Sequence, residues 1–300
     1  MIELKQVSKS FGDIRAVRNV SAEVRDGEVF GLIGTHGAGK STLLRMMAGV
    51  LQADAGEITV DGAPVYENPE VKQKICFLAD TVYYYQNATP DDMARVYGIA
   101  YPNFDRGRFN ELLGVLSLDP RRKIRTFSKG MQKQLTVVLG ISTNVQYLFC
   151  DETFDGLDPV MRQAVKGLFA TEMLDRGLVP VIASHNLREL EDICDHVGLL
   201  HEGGVLLSES LEDMKFHMQK VQFVLEDPAK VEELLRELDV VSRDARGSMT
   251  TIIARGTRTE IMERIRNREP VFAEALPLTL EEIFIFETEV AGYDLKHIIS

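Results

Sequence analysis

The chain has 300 residues, of which 45% are hydrophobic and 27% charged, and its formal net charge is −12. These proportions are ordinary for a globular protein and exclude a largely disordered chain or a fibrous repeat. The length suits one large α/β domain with an appendage, or two modest domains. The acidic balance argues against binding DNA, RNA or anionic lipid through a basic face. We therefore expect no nucleic-acid partner, and any membrane contact should be made through another protein.

Neither a membrane span nor an export signal is expected. No stretch approaches 18 uninterrupted apolar residues, and the opening MIELKQVSKS lacks the basic-then-apolar order of a secretory signal. Cys76, Cys150 and Cys194 are too far apart for a zinc site and too few for a disulfide scaffold. The sequence predicts a cytoplasmic protein whose cysteines are buried structural thiols.

The first 60 residues predict strands that lead into a glycine loop and a helix. Residues 2–33 contain three short β patterns, and the last of them, EVFGLIG, is apolar enough for a buried central strand. From Lys40 the apolar spacing is helical and stops at Gly49, after which EITVDG predicts another strand and turn.

A helical insertion is predicted between residues 89 and 145, where prolines separate segments of helical periodicity. The βαβ rhythm of a parallel sheet then returns with VQYLFCD, VMRQAVKGLFATEML and VPVIAS. After about residue 217 a strand-helix-strand-helix-strand series predicts a small α+β unit. The predicted domains are residues 1–217 and residues 218–300, and the second, which contains no phosphate or metal motif, is interpreted as regulatory or dimerising.

A phosphate-binding loop is predicted between the third strand and the first helix, where the sequence matches G-x-x-x-x-G-K-[ST]. Its glycines allow backbone N–H groups to surround phosphate oxygens, and the helix N-terminus adds partial positive charge. Lys40 can reach the β- and γ-phosphates, and the Ser41 hydroxyl can ligate Mg²⁺. The predicted nucleotide-binding residues are Gly34, Thr35, His36, Gly37, Ala38, Gly39, Lys40, Ser41 and Thr42.

Two adjacent carboxylates, Asp151 and Glu152, follow the apolar strand VQYLFC. Ligand sites in α/β sheets lie at the carboxyl ends of such strands. We expect Asp151 to hold Mg²⁺, usually through water, and Glu152 to orient or deprotonate the water that attacks the γ-phosphate. Together with the phosphate loop, this pair predicts an NTPase.

The hexamer FSKGMQ, which begins at Phe127, is close to the LSGGQ signature of the ABC ATPase family, and the sequence resembles that family over residues 1–215. Phe127, Lys129 and Met131 depart from the signature. Ser128 and Gly130 are retained, and the resemblance implies that they contact the γ-phosphate of ATP.

Two further segments are similar to the same family. Residues 155–158, Asp-Gly-Leu-Asp, match its D-loop and imply that Asp158 belongs to the nucleotide site. Ser184 and His185 follow the strand VPVIA and match its switch histidine, which implies that His185 contacts the γ-phosphate.

Three positions are less regular. Phe11 falls where the family has an aromatic residue that stacks on adenine, although a core phenylalanine would give the same pattern. Asp80 aligns with a glutamine that, in the family, senses Mg²⁺ and the attacking water. Aspartate is shorter and charged, and it could itself ligate Mg²⁺. Gln86 is the alternative if the loop is aligned with the family in a different register. His36 replaces the usual asparagine, which the loop should tolerate because it acts mainly through its backbone.

The resemblance implies a RecA-like α/β core with an antiparallel β subdomain and a helical subdomain. It also implies a head-to-tail dimer with a second cassette, identical or different, in which each ATP, with Mg²⁺, lies between one phosphate loop and the other signature. The region from Asp80 to Tyr101 corresponds to the surface that receives membrane permease subunits, through which the protein would sit on the inner face of the membrane. Five of the eight tyrosines lie there, either as an exposed interface or as packing of the helical insertion.

The sequence therefore predicts the ATP-hydrolysing subunit of an ABC transporter, similar to cassettes paired with ABC-2-type permeases, many of which are exporters. The alternative is a soluble ABC ATPase acting on a ribosome, a chromosome or another non-membrane partner. The single cassette, the acidic charge and the lack of a long coiled-coil insertion argue against it. A P-loop kinase or GTPase would not account for the signature, D-loop and switch histidine together.

Overall fold

The computed structural model describes residues 1–290, which form two compact units, each with a hydrophobic core of its own. The first unit runs from Met1 to Ser208, and the second begins at Glu209. The sequence places the division at residue 217, whereas in the structure the segment 209–217 belongs to the second unit. Among the helices of residues 1–290, none combines the length and apolarity needed to cross a bilayer.

The first unit mixes strands and helices in the predicted order. Its strands are β1 (Ile2–Phe11), β2 (Ile14–Val24), β3 (Phe30–Gly34), β4 (Ala55–Val60), β5 (Ala63–Pro64), β6 (Ile75–Leu78), β7 (Tyr147–Asp151), β8 (Val179–Ser184), β9 (His196–His201) and β10 (Gly204–Ser210). Its α-helices are α1 (Lys40–Met47), α2 (Pro69–Lys72), α3 (Pro90–Ala100), α4 (Arg106–Val115), α5 (Lys129–Ser142), α6 (Pro159–Arg176) and α7 (Leu187–Glu191).

The central sheet has the strand order β10-β9-β3-β8-β7-β6. The strands from β9 to β6 in this order pair in parallel, so their carboxyl ends lie at one edge of the sheet. β3, β7 and β8 are buried along their whole length, which explains their uninterrupted apolar sequences. Because β8 lies between β3 and β7, the loops that follow these three strands are neighbours, and ligand sites of α/β sheets lie in this position.

A second sheet, of order β2-β1-β4-β5, is antiparallel. One hydrophobic core joins the two sheets through α1, because Leu44 and Met46 of α1 are buried with Val20 of β2 and Phe149 of β7. The first helix is therefore held between the sheets by its apolar side chains, and its N-terminus is left at the carboxyl edge of the central sheet.

Helices α3, α4 and α5 lie between β6 and β7 in the chain, in the region where the sequence predicts a helical insertion. Each begins at a residue whose side chain accepts a hydrogen bond from the first turn: Thr89 for α3, Asp105 for α4 and Ser128 for α5. The packing of α5 is close, since a Cβ added at Gly140 would lie 2.8 Å from the Leu78 side chain of β6.

The second unit consists of α8 (Leu211–His217), β11 (Met218–Val224), α9 (Pro228–Glu237), β12 (Asp239–Arg246), β13 (Met249–Arg255), α10 (Arg258–Arg266), β14 (Phe272–Leu276) and α11 (Leu280–Val290). Its antiparallel sheet has the order β12-β13-β11-β14, and the βαββαβ connectivity is that of a ferredoxin-like unit. Its core contains Val221, Phe223, Leu234 and Ile252. The predicted α+β character is therefore present.

The three cysteines are free and buried, as the sequence predicts. Burial raises the pKa of the Cys76 thiol to about 11, so the thiolate that would react or bind metal is disfavoured.

Because the second unit has its own core, we expect a chain cut after Ser210, which keeps β10 whole, to fold and to bind ATP as tightly as the full chain. Thermal unfolding and calorimetric titration with ATP would check this. A folded truncated chain that no longer binds ATP would show that the second unit contributes to the nucleotide site.

Candidate functional site

The loop between β3 and α1 requires glycine at several positions. Gly37 and Gly39 have φ angles of 81° and 101°, in the left-handed region that other residues rarely adopt. A Cβ added at Gly39 would lie 2.2 Å from the Ala16 carbonyl oxygen, and one added at Gly34 would lie 2.6 Å from the Leu200 carbonyl oxygen. The loop is therefore shaped by close approach to the backbone of β2 and β9 as well as by its own conformation.

The N-terminus of α1 faces an open cavity. Gly39 is the N-cap of α1 and has no side chain with which to cap it, and the first turn contains no acidic residue. The cavity has a volume of 590 Å³, and its lining includes residues 36–42, residues 13–16 and Glu152. Uncapped backbone N–H groups and the helix dipole favour an anion at this point, and the volume suits a small-molecule ligand.

Lys40 is the first residue of α1, and its side chain is 6% exposed. Its Nζ donates to the carbonyl oxygens of Gly34 and Thr35, at 2.8 and 3.1 Å, and lies 3.9 Å from Glu152 Oε1. Burial lowers the pKa of Lys40, and the carboxylates of Glu152 and Asp151 oppose that shift. The ammonium thus lies in the loop beside the cavity, where it can move to a phosphate oxygen.

Ser41 and Asp151 form a pair that fits a magnesium ion. The Ser41 hydroxyl donates to Asp151 Oδ1 at 2.8 Å, and Asp151 Oδ2 is buried without a hydrogen-bond partner in the described part of the chain. Burial raises the pKa of Asp151, and the Ser41 hydrogen bond opposes the shift. Since hard divalent cations prefer oxygen ligands and an unpaired buried oxygen is costly, this arrangement fits Mg²⁺.

Glu152 joins this site to His185 at the end of β8. Its φ is 48°, a left-handed conformation that a non-glycine residue adopts only when its surroundings hold it there. Its backbone N–H donates to the Ala183 carbonyl at 2.9 Å, and its Oε2 lies 2.9 Å from His185 Nδ1. The carboxylate, 15% exposed, is directed between Lys40 and His185.

His36 makes a contact that the sequence analysis did not anticipate. Its ring packs edge-on against the His185 ring, with the centroids 4.6 Å apart. The signal in the sequence was the histidine at a position where the family usually has asparagine. The phosphate loop and the loop after β8 are therefore in direct contact through their side chains.

Asp80 lies two residues beyond β6, at the same edge of the sheet, and is ion-paired. Its Oδ1 accepts from Lys133 Nζ at 3.0 Å, and the same Nζ donates to the Glu152 carbonyl oxygen at 2.9 Å. Gln86, the alternative to Asp80, is exposed on a turn before α3. Lys133 is a residue of this site that sequence reasoning missed, because no motif includes it.

The predicted signature and D-loop residues lie at the starts of two helices. Ser128 accepts from the Met131 N–H and caps α5, and Asp158 accepts from the Met161 N–H and caps α6. A Cβ added at Gly130 would lie 3.2 Å from the Gly156 carbonyl oxygen, so the two segments are adjacent. Contacts of Ser128, Gly130 and Asp158 with nucleotide would involve a second chain and stay predictions.

Phe11 lies at the end of β1, with its ring 47% exposed. Phe11 pairs across the hairpin turn with Ile14, which lines the cavity. The Nζ atom of Lys9 lies 5.6 Å from the centroid of the Phe11 ring. Its ring is therefore on the surface near the cavity rather than in the core, which leaves it accessible to a ligand.

Comparison with known proteins decides the family. The chain is 31% identical over 285 residues to the ABC transporter ATP-binding protein YtrB of Bacillus subtilis (strain 168), covering 95% of this chain and 97% of that protein. The family model described as ABC transporter matches residues 17–155. This chain belongs to the ATP-binding proteins of ABC transporters. It is an ATP-binding and ATP-hydrolysing subunit.

Two other comparisons agree with this assignment. The bacitracin transport ATP-binding protein BcrA of Bacillus licheniformis is 27% identical over 245 residues, covering 79% of each chain. This chain also resembles a solved structure of the cassette MJ0796, a dimer in a post-hydrolysis state with ADP and Pi bound. The two superpose with a TM-score of 0.64 at 21% sequence identity, and the match covers 70% of this chain and 99% of that one. The similarity in fold confirms the predicted RecA-like core.

The tyrosines of this ABC cassette between Tyr83 and Tyr101 divide into two groups. Tyr83 and Tyr85 are 80% and 56% exposed. Tyr84 is turned inward, where its hydroxyl donates to the Gln132 carbonyl oxygen at 2.9 Å and burial raises its pKa to about 12. Tyr97 and Tyr101 stack on each other with centroids 5.8 Å apart. Both interpretations left open by the sequence, exposed surface and internal packing, therefore describe part of the cluster.

The two glycines of the phosphate loop give a matched pair of substitutions. Gly37→Ala meets open space and should cost only the strain of a left-handed residue, about 1–2 kcal/mol. Gly39→Ala adds a clash with the Ala16 carbonyl, so it should destabilise the protein more and weaken ATP binding by displacing the start of α1. Denaturant unfolding and calorimetry would measure both. Equal free energies of unfolding for the two variants would contradict the close approach.

Proposed function

We propose that this cassette drives export through separate membrane permease subunits, on the inner face of the cell membrane, by closing on a second cassette around ATP. The observation that carries the ATPase role is that Lys40, Ser41 and Glu152 line one cavity at the carboxyl edge of the parallel sheet, with Asp151 bound to the Ser41 hydroxyl. The transport role is supported by a relative whose name specifies bacitracin transport.

In the proposed mechanism, the triphosphate binds at the N-terminus of α1, where backbone N–H groups and Lys40 neutralise its charge. Ser41 and Asp151 would hold Mg²⁺. Asp80, two residues beyond β6 at the same edge of the sheet, is the predicted further ligand. When bound there, Mg²⁺ would neutralise negative charge on the phosphate oxygens.

Glu152 and His185 are the proposed hydrolytic pair. Glu152 orients or deprotonates the attacking water, and His185 is placed by its contact with Glu152 Oε2 to interact with the γ-phosphate. Glu152 combines a left-handed backbone with a side chain that lines the cavity.

The second cassette would supply the other half of each ATP site. Ser128 and Gly130 of one chain would contact the γ-phosphate held by the other chain, and Asp158 would lie at the same junction. Support comes from the position of these residues at the starts of α5 and α6 and from the dimeric MJ0796 cassette with a similar fold.

We propose that the permease subunits dock on the region from Asp80 to Tyr101. Its exposed apolar side chains support this, since Tyr83, Tyr85 and Ile99 are 80%, 56% and 87% exposed and aromatic residues are enriched at interface cores. The alternative of an ABC ATPase that acts on a non-membrane partner is not favoured, because the relatives described above are named for transporters.

The catalytic role is tested by Glu152→Gln. The substitution should keep ATP affinity, since the phosphate loop is intact, and should abolish turnover, because the amide cannot accept a proton from water. The trapped ATP should also stabilise a dimer that ADP does not produce, measured by size-exclusion chromatography.

The matched control is Glu70→Gln, an exposed residue of α2, which should behave as wild type. Turnover at the wild-type rate by Glu152→Gln, in the assembly in which the wild type is active, would contradict the role of Glu152.

A further inference from the structure

Lys133 makes two polar contacts, one of which is with Glu152, the proposed hydrolytic residue. Its side chain is 14% exposed on α5, and its Nζ donates both to Asp80 Oδ1 and to the Glu152 carbonyl oxygen, at 3.0 and 2.9 Å. A largely buried ammonium is stable only when it is paired. The Asp80 carboxylate provides the opposite charge, and the Glu152 carbonyl oxygen provides a second hydrogen-bond acceptor.

The contact with Glu152 is made where the backbone is strained. Glu152 has a left-handed φ of 48°, and its N–H donates to the Ala183 carbonyl oxygen. Its carbonyl oxygen accepts from Lys133 Nζ at 2.9 Å and, in a longer hydrogen bond of 3.3 Å, from the Asp155 N–H. With both polar groups of its backbone engaged, the backbone of Glu152 is held in place, and its carboxylate lies against His185. If the Lys133 contact is lost, the longer hydrogen bond from the Asp155 N–H is left to hold this carbonyl, so the following peptide is freer to rotate and the carboxylate can leave that direction.

Helix α5 gives Lys133 a fixed position. The Tyr84 hydroxyl donates to the Gln132 carbonyl oxygen at 2.9 Å, and Gly130 packs against the Gly156 carbonyl. Val137 and Val138, on the following turn, are fully buried. The ammonium is thus held relative to the loop after β7 by a packed helix rather than by a mobile surface segment.

We propose that Lys133 is a positioning residue for ATP hydrolysis: its ammonium holds the Glu152 peptide so that the Glu152 carboxylate faces the attacking water, and Asp80 holds the ammonium. The proposal rests on the hydrolytic role proposed above for Glu152. It also gives Asp80 a function that does not depend on metal ligation, since one of its carboxylate oxygens is bound by Lys133.

Lys166 provides a matched control. It is 12% exposed, and its Nζ is 3.0 Å from an oxygen of the exposed Asp192 carboxylate, which closely resembles the burial and ion pair of Lys133. It lies on α6, and its hydrogen bond within the described residues is to Asp192, not to the loop after β7. Lys133→Met and Lys166→Met therefore remove similar ion pairs, and only the first removes a hydrogen bond from Glu152.

We expect Lys133→Met to lower kcat by about 10- to 100-fold, with little change in the KM or Kd for ATP, because a misplaced catalytic group affects the chemical step rather than ground-state binding. Its loss of thermal stability should match that of Lys166→Met, which should keep the wild-type kcat. Lys133→Arg, which retains a cation and several donors, should recover part of the lost kcat. A folded Lys133→Met variant with the wild-type kcat, or a kcat loss equal to that of Lys166→Met, would overturn the proposal.

The part played by Asp80 is tested by a double-mutant cycle. If Asp80 acts through Lys133, adding Asp80→Asn to Lys133→Met should leave kcat unchanged. A further loss equal to that of Asp80→Asn alone would contradict this part. The proposal can fail while the hydrolytic role of Glu152 holds, since Glu152→Gln would then stop turnover and Lys133→Met would not.

Discussion

The N-terminus of α1 presents backbone N–H groups to a cavity, and the surrounding backbone approaches so closely that only glycine fits at two positions before the helix. Gly34 approaches the carbonyl oxygen of Leu200 on β9, and Gly39 approaches that of Ala16 on β2. The Ser41 hydroxyl is bound to Asp151 at the end of β7. Elements from both sheets of the first unit thus fix the start of one helix beside the cavity.

Burial of the charged groups at this site is unfavourable in free energy. Lys40 and Asp151 are 6% and 1% exposed, and burial moves their pKa values in opposite directions, each away from the charged form. Asp151 also retains an oxygen without a hydrogen bond in the described residues. A triphosphate would compensate the buried lysine, and a divalent cation would compensate the buried aspartate. The two buried charges therefore fit a ligand that carries both a triphosphate and a divalent cation, and MgATP is such a ligand.

Much of this site could be predicted because its motifs are local. The spacing of Gly34, Gly39 and Lys40 in a strand-loop-helix context determines a phosphate loop by itself, and the apolar strand before Asp151 places its carboxylate at the sheet edge. The parallel core and the α+β second unit could be predicted from the alternation of strand and helix patterns.

The remaining features depend on tertiary packing that no local pattern encodes. Strand β8 lies between β3 and β7, which brings His185 next to Glu152 and His36. The order of strands in a sheet cannot be predicted from the sequence of any single segment. Lys133 is 53 residues from Asp80 along the chain and belongs to no motif. The division of the tyrosines into exposed and packed rings likewise depends on the position of α5.

The most direct test of this account is the affinity for MgATP of the wild type and of Lys40→Ala, measured by calorimetry with thermal unfolding as the check on folding. The wild type should bind one MgATP per chain. Lys40→Ala should remain folded and bind about tenfold or more weakly, because a charge-assisted contact to the phosphates is lost. Equal affinity in the two proteins would contradict the claim that nucleotide binds at the N-terminus of α1.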